Sequence, residues 1–438
     1  MDGVAAFSLL AVAFGALSFL YVVRGVDPAW IVSVGIAGTV FSGHWQDIGL
    51  PGLVVPPDRL LIWAGLATAM LRRPEAVTAA RPGARAIRWL LALTLAYAVG
   101  SAAWVGTLGD SATQFRLLDV VGVMPFLLFL AAPAVFATAR QREILLATLV
   151  ATGAYLGATS LLQFFGADAL VFPQYIADPT VGIHAERARG PFVEAVANGL
   201  ALYACGVASA IAVATWRRSL PRVAAATIAG ICALDLILTL TRAIWIAAIA
   251  ATLVTLLVTR ELRRFAFPAV FVGTAFVVAT VALAPGLSAQ TQERRENRRA
   301  IWDRLNSDKA AARMIADRPL LGFGFDRFDA ESPSYYRQSD DYPLTGTVDL
   351  HNVFLRNAVD LGLVGAALWL GSFLLAVGGA ILRRGPPELR PWRLGLLAYA
   401  VFWVVVANFG PLPYPFAILV LWVWAGIVFS AGAREQLS

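Results

Sequence analysis

The chain has 438 residues, of which 59% are hydrophobic and only 14% charged, with a formal net charge of +7. Soluble domains average about 25% charged residues, so this composition excludes an ordinary soluble domain and marks a polytopic membrane protein. The positive charge is almost all arginine, Lys309 being the only lysine, and no nucleic-acid-binding motif accompanies it, so no nucleic-acid partner is expected.

Lipid cannot satisfy exposed backbone groups, so spans are either helices or closed barrels. The apolar runs here have roughly the 20 residues a spanning helix needs and do not alternate polar with apolar, which selects helices. The candidate spans begin with 4–23, 29–42, 58–71, 88–106, 118–138 and 143–164. They continue with 194–214, 223–240, 242–259, 266–285, 351–382, 394–410 and 414–432. The first run follows Met-Asp-Gly-Val, which lacks the basic start of a cleaved signal peptide, and reads as a retained span. Cys205 and Cys232 both fall inside apolar runs and suggest no disulfide framework.

Arginines cluster in alternate gaps, around 72–88, 140–142, 217–222, 260–264 and 383–393. The positive-inside rule makes that side cytoplasmic. The stretch 223–258 has 36 residues whose only charges are Asp235 and Arg242. One crossing would be too long and would leave an arginine cluster outside, so the expectation is a tight helical hairpin with Arg242 at its extracytoplasmic tip. Segments 29–42 and 58–71 are short for spans. If one of them does not cross, the chain has twelve spans and both ends are cytoplasmic. The expected fold is therefore an all-α polytopic membrane protein of about 12 transmembrane helices. It forms a single integral membrane domain over 1–438, with a large, partly helical extracytoplasmic loop at 286–350. Within that loop, Ile301, Trp302, Leu305, Ala312 and Ile315 recur at helical spacing over 297–316, which predicts an amphipathic helix lying on the membrane surface and ended by Pro319 and Gly322.

Four constellations lie on the extracytoplasmic side. Arg187-Ala-Arg-Gly-Pro-Phe192 carries a Gly-Pro turn signal, with Asn198 opening the next span. Arg189 there is either an anion ligand or an interfacial side chain that snorkels. Thr239-Leu-Thr-Arg-Ala243 puts Arg242 at the hairpin tip, either for binding or to pair with Asp235 seven residues away. Asn297-Arg-Arg-Ala-Ile-Trp302 leads to Arg318-Pro-Leu-Leu-Gly-Phe-Gly324, whose glycines allow close backbone approach, and no Gly-Lys-Ser/Thr follows to make a P-loop. Tyr335, Tyr336 and Tyr342 either stack on sugars or anchor the interface. Asp349-Leu-His-Asn352 opens the run 353–382, with Gly362-Leu-Val-Gly365 inside it. His351, one of three histidines, is a titratable group at a membrane boundary, suited to acid–base work or to a structural role. No two histidines have zinc-site spacing, so no metal is expected.

These residues resemble the bacterial O-antigen ligase and O-antigen polymerase superfamily. The likeness rests on Arg187 to Phe192, Thr-Arg-Ala at the hairpin and Arg298-x-x-x-Trp302. It extends through Arg318 to Gly324 and His351-Asn352 to Leu361-Gly-Leu-Val-Gly365, in that order over about 187–365. The resemblance implies a twelve-span bacterial inner-membrane glycosyltransferase whose active site faces the periplasm and which works without metal or cofactor. Its donor would be a glycan on undecaprenyl diphosphate. Its acceptor would be lipid A–core oligosaccharide in a ligase, another glycan in an O-antigen or exopolysaccharide polymerase, or a protein in an O-oligosaccharyltransferase. The family's functional histidine maps to His351, its hairpin arginine to Arg242 and its large-loop arginine to Arg298, with Arg299 adjacent. Thr241 stands where many members have serine. Arg189 is the third expected substrate ligand, and Arg187, Asn198, Arg299 and Asn352 are secondary candidates.

The implied chemistry suits these residue types. Arginine forks hold a diphosphate and stabilise the charge that grows on it as the glycosidic bond breaks. The acceptor hydroxyl needs a base, and a neutral imidazole serves. A secondary transporter is the competing class, but transporters place charges near the midplane in repeated broken helices, whereas these charges gather at one rim. Membrane lipids are expected partners in either case.

Overall fold

The computed structural model describes residues 25–48, 56–72, 84–261, 298–337 and 349–431, with a few residues between 263 and 278. All regular structure among them is helical. The expected span 4–23, most of 266–285, and Tyr342 lie outside the described residues.

Helices α1 (Pro28–Gly38) and α2 (Pro57–Arg72) pack on each other. Asp27 caps α1 by accepting from the Ala29 N–H, and Pro28 sits at the first helical position, where its missing N–H costs nothing. The 11 residues of α1 rise only about 16 Å, roughly half the hydrocarbon thickness. Next come α3 (Ala84–Trp104), α4 (Val123–Val135) and α5 (Ala139–Phe164). A helical approach from Ser111 leads to α4 across a break at Gly122, and its stretch Arg116–Val121 is wound wider than an α-helix. Thr138 and Gln141 close a reciprocal capping box at the start of α5. The chain continues through α6 (Ala195–Thr215), α7 (Ser219–Leu238), α8 (Arg242–Val258), α9 (Arg298–Asp317), α10 (Val353–Phe373), α11 (Arg390–Ala407) and α12 (Pro415–Ala431).

Among the described residues seven helical stretches are long and apolar enough to cross a membrane, from Arg85–Trp104 to Pro387–Ala407. Three shorter apolar stretches, Pro28–Phe41, Arg242–Val258 and Pro415–Phe429, accompany them. The protein is thus an all-α polytopic membrane protein. Helix α12 is its axis. It is buried on every side from Phe416 to Phe429, as a helix apolar all round must be.

The stretch 223–258 divides at Thr239–Thr241 as expected, but its arms do not form a tight hairpin. Helix α7 packs chiefly on α6 and α5, whereas α8 packs on α11. Asp235 does not pair with Arg242. It is fully buried, and neither carboxylate oxygen finds a hydrogen-bond partner among the described residues.

The described part of the large loop, 298–337, is folded, not merely laid on a surface. The apolar face of α9 buries Ala311 and Met314 against Phe323, Phe328, Leu350 and Val359, so the helix packs on protein where a membrane-surface helix was expected. Behind it, α10 is broken at Gly362, which has φ 66° and ψ 179°. The break frees backbone groups that the segment 319–324 then satisfies. Phe323 N–H donates to the Val359 carbonyl at 2.9 Å, Gly324 N–H to that of Asp360 at 2.9 Å, and Leu363 N–H to that of Pro319 at 2.7 Å. A Cβ on Gly322, itself at φ +70°, would lie 2.4 Å from the Gly362 nitrogen, so only glycine fits the crossing. Arg116 clamps the same junction by bridging Asp326 and Asp360, and Arg356 joins Asp326 to Asp329.

Candidate functional site

Three segments meet at one rim: the α7–α8 turn, the polar face of α9 and the approach to α10. The turn is held by its own threonines. Thr239 Oγ1 donates to the Leu236 carbonyl at 2.7 Å, and Thr241 Oγ1 to that of Thr239 at 2.9 Å. Leu240 is forced to φ +48°. Trp245 Nε1 also donates to the Leu236 carbonyl, at 3.0 Å, tying the first turn of α8 to the end of α7. This fixes Arg242, the exposed first residue of α8. No side chain caps that helix. A guanidinium at the positive end of a helix is unfavourable alone and favourable beside an anion.

Arg304 and Asp308 stand four residues apart on α9, which places them on one face. Burial lowers the Arg304 pKa, Asp308 opposes that, and the nearby Arg242 adds to it. Asp308 is raised by burial and lowered by His351 and Arg304. These four residues are therefore within electrostatic reach of one another in a chain. Among the described residues neither the Arg242 nor the Arg304 guanidinium donates a hydrogen bond.

His351 has a defined tautomer. Its Nδ1 lies 2.7 Å from the Asp349 carbonyl oxygen, which can only accept, so Nδ1 carries the proton and Nε2 presents its lone pair. Burial lowers the imidazole pKa from its usual value. The bond to Asp349 opposes this, Arg304 reinforces it, and the Asp349 and Asp308 charges oppose it again. The net effect is a ring that stays neutral at pH 7.

The other expected site residues have structural partners. Arg189 is 1% exposed, and its guanidinium donates to the carbonyls of Ile176, Asp178 and Val181, stitching its own loop. Asn198 is fully buried. It donates to Ser160 Oγ and the Ala188 carbonyl, and it packs against Gly190, where a Cβ would lie 2.5 Å from Asn198 Oδ1. Asn352 is the N-cap of α10, accepting from Phe354 and Leu355 at 3.0 Å. Arg187 lies 3.3 Å from Glu186 and within reach of Glu194. Glu194 caps α6 and accepts from Tyr414, and burial raises its pKa. The loop reaches the rim through Ala188, whose N–H donates to the Leu238 carbonyl. Arg298 and Arg299 open α9, one and a half turns before Arg304, but their side chains lie outside those described. Of the expected ligands, the structure thus brings Arg242 and His351 each within electrostatic reach of Arg304 and turns Arg189 away. Arg304 and Asp308 were not expected. Their signal was the four-residue spacing on the polar face of the amphipathic helix. Of the remaining histidines, His44 pairs with Asp47 and stacks on Tyr175, and His184 lies 3.6 Å from Glu186.

Residues 225–370 match the O-antigen ligase family model. No curated protein matches the chain. The O-antigen ligase region runs from within α7 into the second half of α10. It contains Arg242, Arg298, Arg304, Asp308 and His351, and it leaves out Arg187, Arg189 and Asn198. The apolar helices mark a membrane protein, and the match makes its region 225–370 similar to the O-antigen ligase family.

Proposed function

We propose that the protein transfers a glycan from undecaprenyl diphosphate to lipid A–core oligosaccharide, at the periplasmic face of the bacterial inner membrane. The observation that carries this reading is the pairing of two guanidiniums, Arg242 and Arg304, with the His351 imidazole. Neither guanidinium, nor the imidazole Nε2, has a hydrogen-bond partner among the described residues. The arginines, joined by Arg298, hold the diphosphate. The acceptor hydroxyl gives its proton to His351 Nε2 as its oxygen attacks the anomeric carbon. The bond from that carbon to the phosphate oxygen breaks, and the electron pair leaves with the diphosphate. The guanidiniums stabilise the charge that collects there, without a metal. A single displacement inverts the anomeric centre. Arg189, Asn198 and Asn352 support this site without touching the substrate.

Two measurements test the reading. Transfer by the purified protein should survive EDTA, and a clear loss would replace the arginine mechanism with a metal one. In a deletion strain, lipopolysaccharide should lose all long chains while lipid-linked polymer accumulates. A single repeat attached to core would instead make the protein a polymerase.

A further inference from the structure

Close to His351 lies a cavity of about 210 Å³ that the mechanism above does not use. It is walled by the approach and first turns of α10, the wide-wound stretch before α4, and the turn between α11 and α12. Pockets that enclose a whole drug-sized ligand run from about 300 to 1,000 Å³, so this one admits a single ring and not a chain.

Its polar groups are informative. Asn357 is 2% exposed and Trp403 4% exposed, and both line the cavity. The Asn357 Nδ2, the Trp403 Nε1 and the Arg356 Nε, all on residues that line it, have no hydrogen-bond partner among the described residues. Buried N–H groups nearly always have partners, and three orphans around one cavity point to a ligand that supplies oxygen acceptors. Arg116 also lines it, and its guanidinium and a terminal nitrogen of Arg356 are held by Asp326, Asp329 and Asp360. Asp349 adds a carboxylate. That negative charge argues against a phosphate and for a neutral group that donates as well as accepts. A second indole, Trp369, and several aliphatic side chains complete the lining. These N–H donors, a carboxylate and indole surface together complement a sugar ring, whose hydroxyls both give and take hydrogen bonds while its C–H face is apolar.

The position selects which sugar. Asp349 lines this cavity and gives its carbonyl to His351 Nδ1. The arginines that would hold the diphosphate come from the α7–α8 turn and from α9, not from these walls. We infer that the cavity is a subsite for one sugar ring of the acceptor glycan, held so that a neighbouring hydroxyl reaches His351 Nε2. The inference rests on the glycan-transfer reading above.

The test is a split of Michaelis constants in Asn357→Leu and Trp403→Phe, which remove one N–H each and keep most of the volume. With lipid A–core oligosaccharide varied at saturating donor, the acceptor KM should rise about three- to tenfold in each variant, the worth of one hydrogen bond. The donor KM should stay put. A rise in donor KM instead, or no change in either, overturns the subsite, the second result meaning that the cavity holds only water. Should a variant fold poorly, the intrinsic tryptophan fluorescence of the unmodified protein, titrated with the same oligosaccharide without donor, reads binding alone. A saturable change supports the subsite and a flat titration sinks it. Binding without any transfer would fail the glycosyltransferase reading and leave the subsite standing. Normal transfer with an unmoved acceptor KM would do the reverse.

Discussion

Arg189 and Arg242 look alike in the sequence, each an arginine beside a turn at the end of an apolar run, yet the structure uses them in opposite ways. Arg189 faces inward, 1% exposed, with three loop carbonyls on its guanidinium. Arg242 is exposed at the start of α8 and faces a second arginine. The difference lies in what surrounds each turn. The 176–181 segment folds back over Arg189 and supplies three carbonyls to its guanidinium. The threonines of the α7–α8 turn donate to the carbonyls of Leu236 and Thr239, and among the described residues the Arg242 guanidinium donates no hydrogen bond. A buried, committed arginine stabilises a loop, and an exposed, uncommitted one waits for an anion. The O-antigen ligase match divides the two in the same way, including Arg242 and leaving out Arg189.

The largest effect expected on the uncommitted side is at His351. General-base assistance is worth typically 10²–10⁴-fold, so His351→Ala should lose at least about a hundredfold in turnover at saturating donor. Donor binding should persist, because the arginines hold the diphosphate. Near-normal turnover in that variant would reduce His351 to a rim residue. His44→Ala and His184→Ala, whose rings are occupied by Asp47, Tyr175 and Glu186, should keep most activity.

The arginines test the comparison directly. Arg242→Ala should abolish transfer, and Arg242→Lys should rescue it poorly, because a point charge cannot replace a bidentate fork. Arg189→Lys should behave differently. It gives up most of the guanidinium's bonds to the loop carbonyls and should cost on the order of 1–3 kcal/mol of stability, seen as a lower melting temperature, while each folded molecule keeps a near-normal donor KM. If Arg189→Lys folds normally and loses donor affinity, the two arginines are equivalent and the distinction drawn here collapses.

How much of this was legible beforehand follows from the same distinction. Hydropathy reads composition over about 20 residues, so the all-α membrane class, the break at Thr239–Thr241 and the rim position of His351 were all visible. The helix in the large loop was visible too, from its spacing. What surrounds a side chain was not. Nothing in Arg-Ala-Arg-Gly-Pro-Phe says that carbonyls thirteen residues upstream will close on Arg189. Leu361-Gly-Leu-Val-Gly365 reads as continuous helix, and its break appears only because 319–324 arrives to pair with the freed backbone. The splay of α7 from α8 depends on partners, α6 and α11, that local sequence does not name.

That crossing gives a prediction of middle size. Gly322→Ala places a Cβ 2.4 Å from backbone atoms and at φ +70°, so neither relaxation nor a rotamer can relieve it. The 319–324 segment should detach, taking the clamp on Asp326 and Asp360 with it. Stability and transfer should fall together, read by limited proteolysis within the large loop and by activity on the same sample. A variant that transfers normally with an unchanged cleavage pattern would show that the crossing does not position the site.

The smallest effect is the most discriminating, because it has a sign. Arg304 lowers the His351 pKa and Asp308 raises it. If His351 is the base, activity requires the neutral ring and falls as pH drops through the imidazole pKa. Burial has already moved that acid limb below the usual histidine value of about 6.5. Removing the Asp308 charge in Asp308→Asn takes away a group that favours the protonated ring. The limb should move to still lower pH. Arg304→Met takes away a group that disfavours it, so the limb should move up, toward the ordinary value. Each shift should be a fraction of a pH unit, since burial is the larger cause and both charges act across a partly solvated rim. Opposite displacements of one limb, measured at saturating donor so that lost phosphate affinity does not intrude, cannot come from a histidine that merely props the rim. Shifts of the same sign in both variants, or none, would mean that the groups titrating in the rate profile are not His351 and its two neighbours on α9.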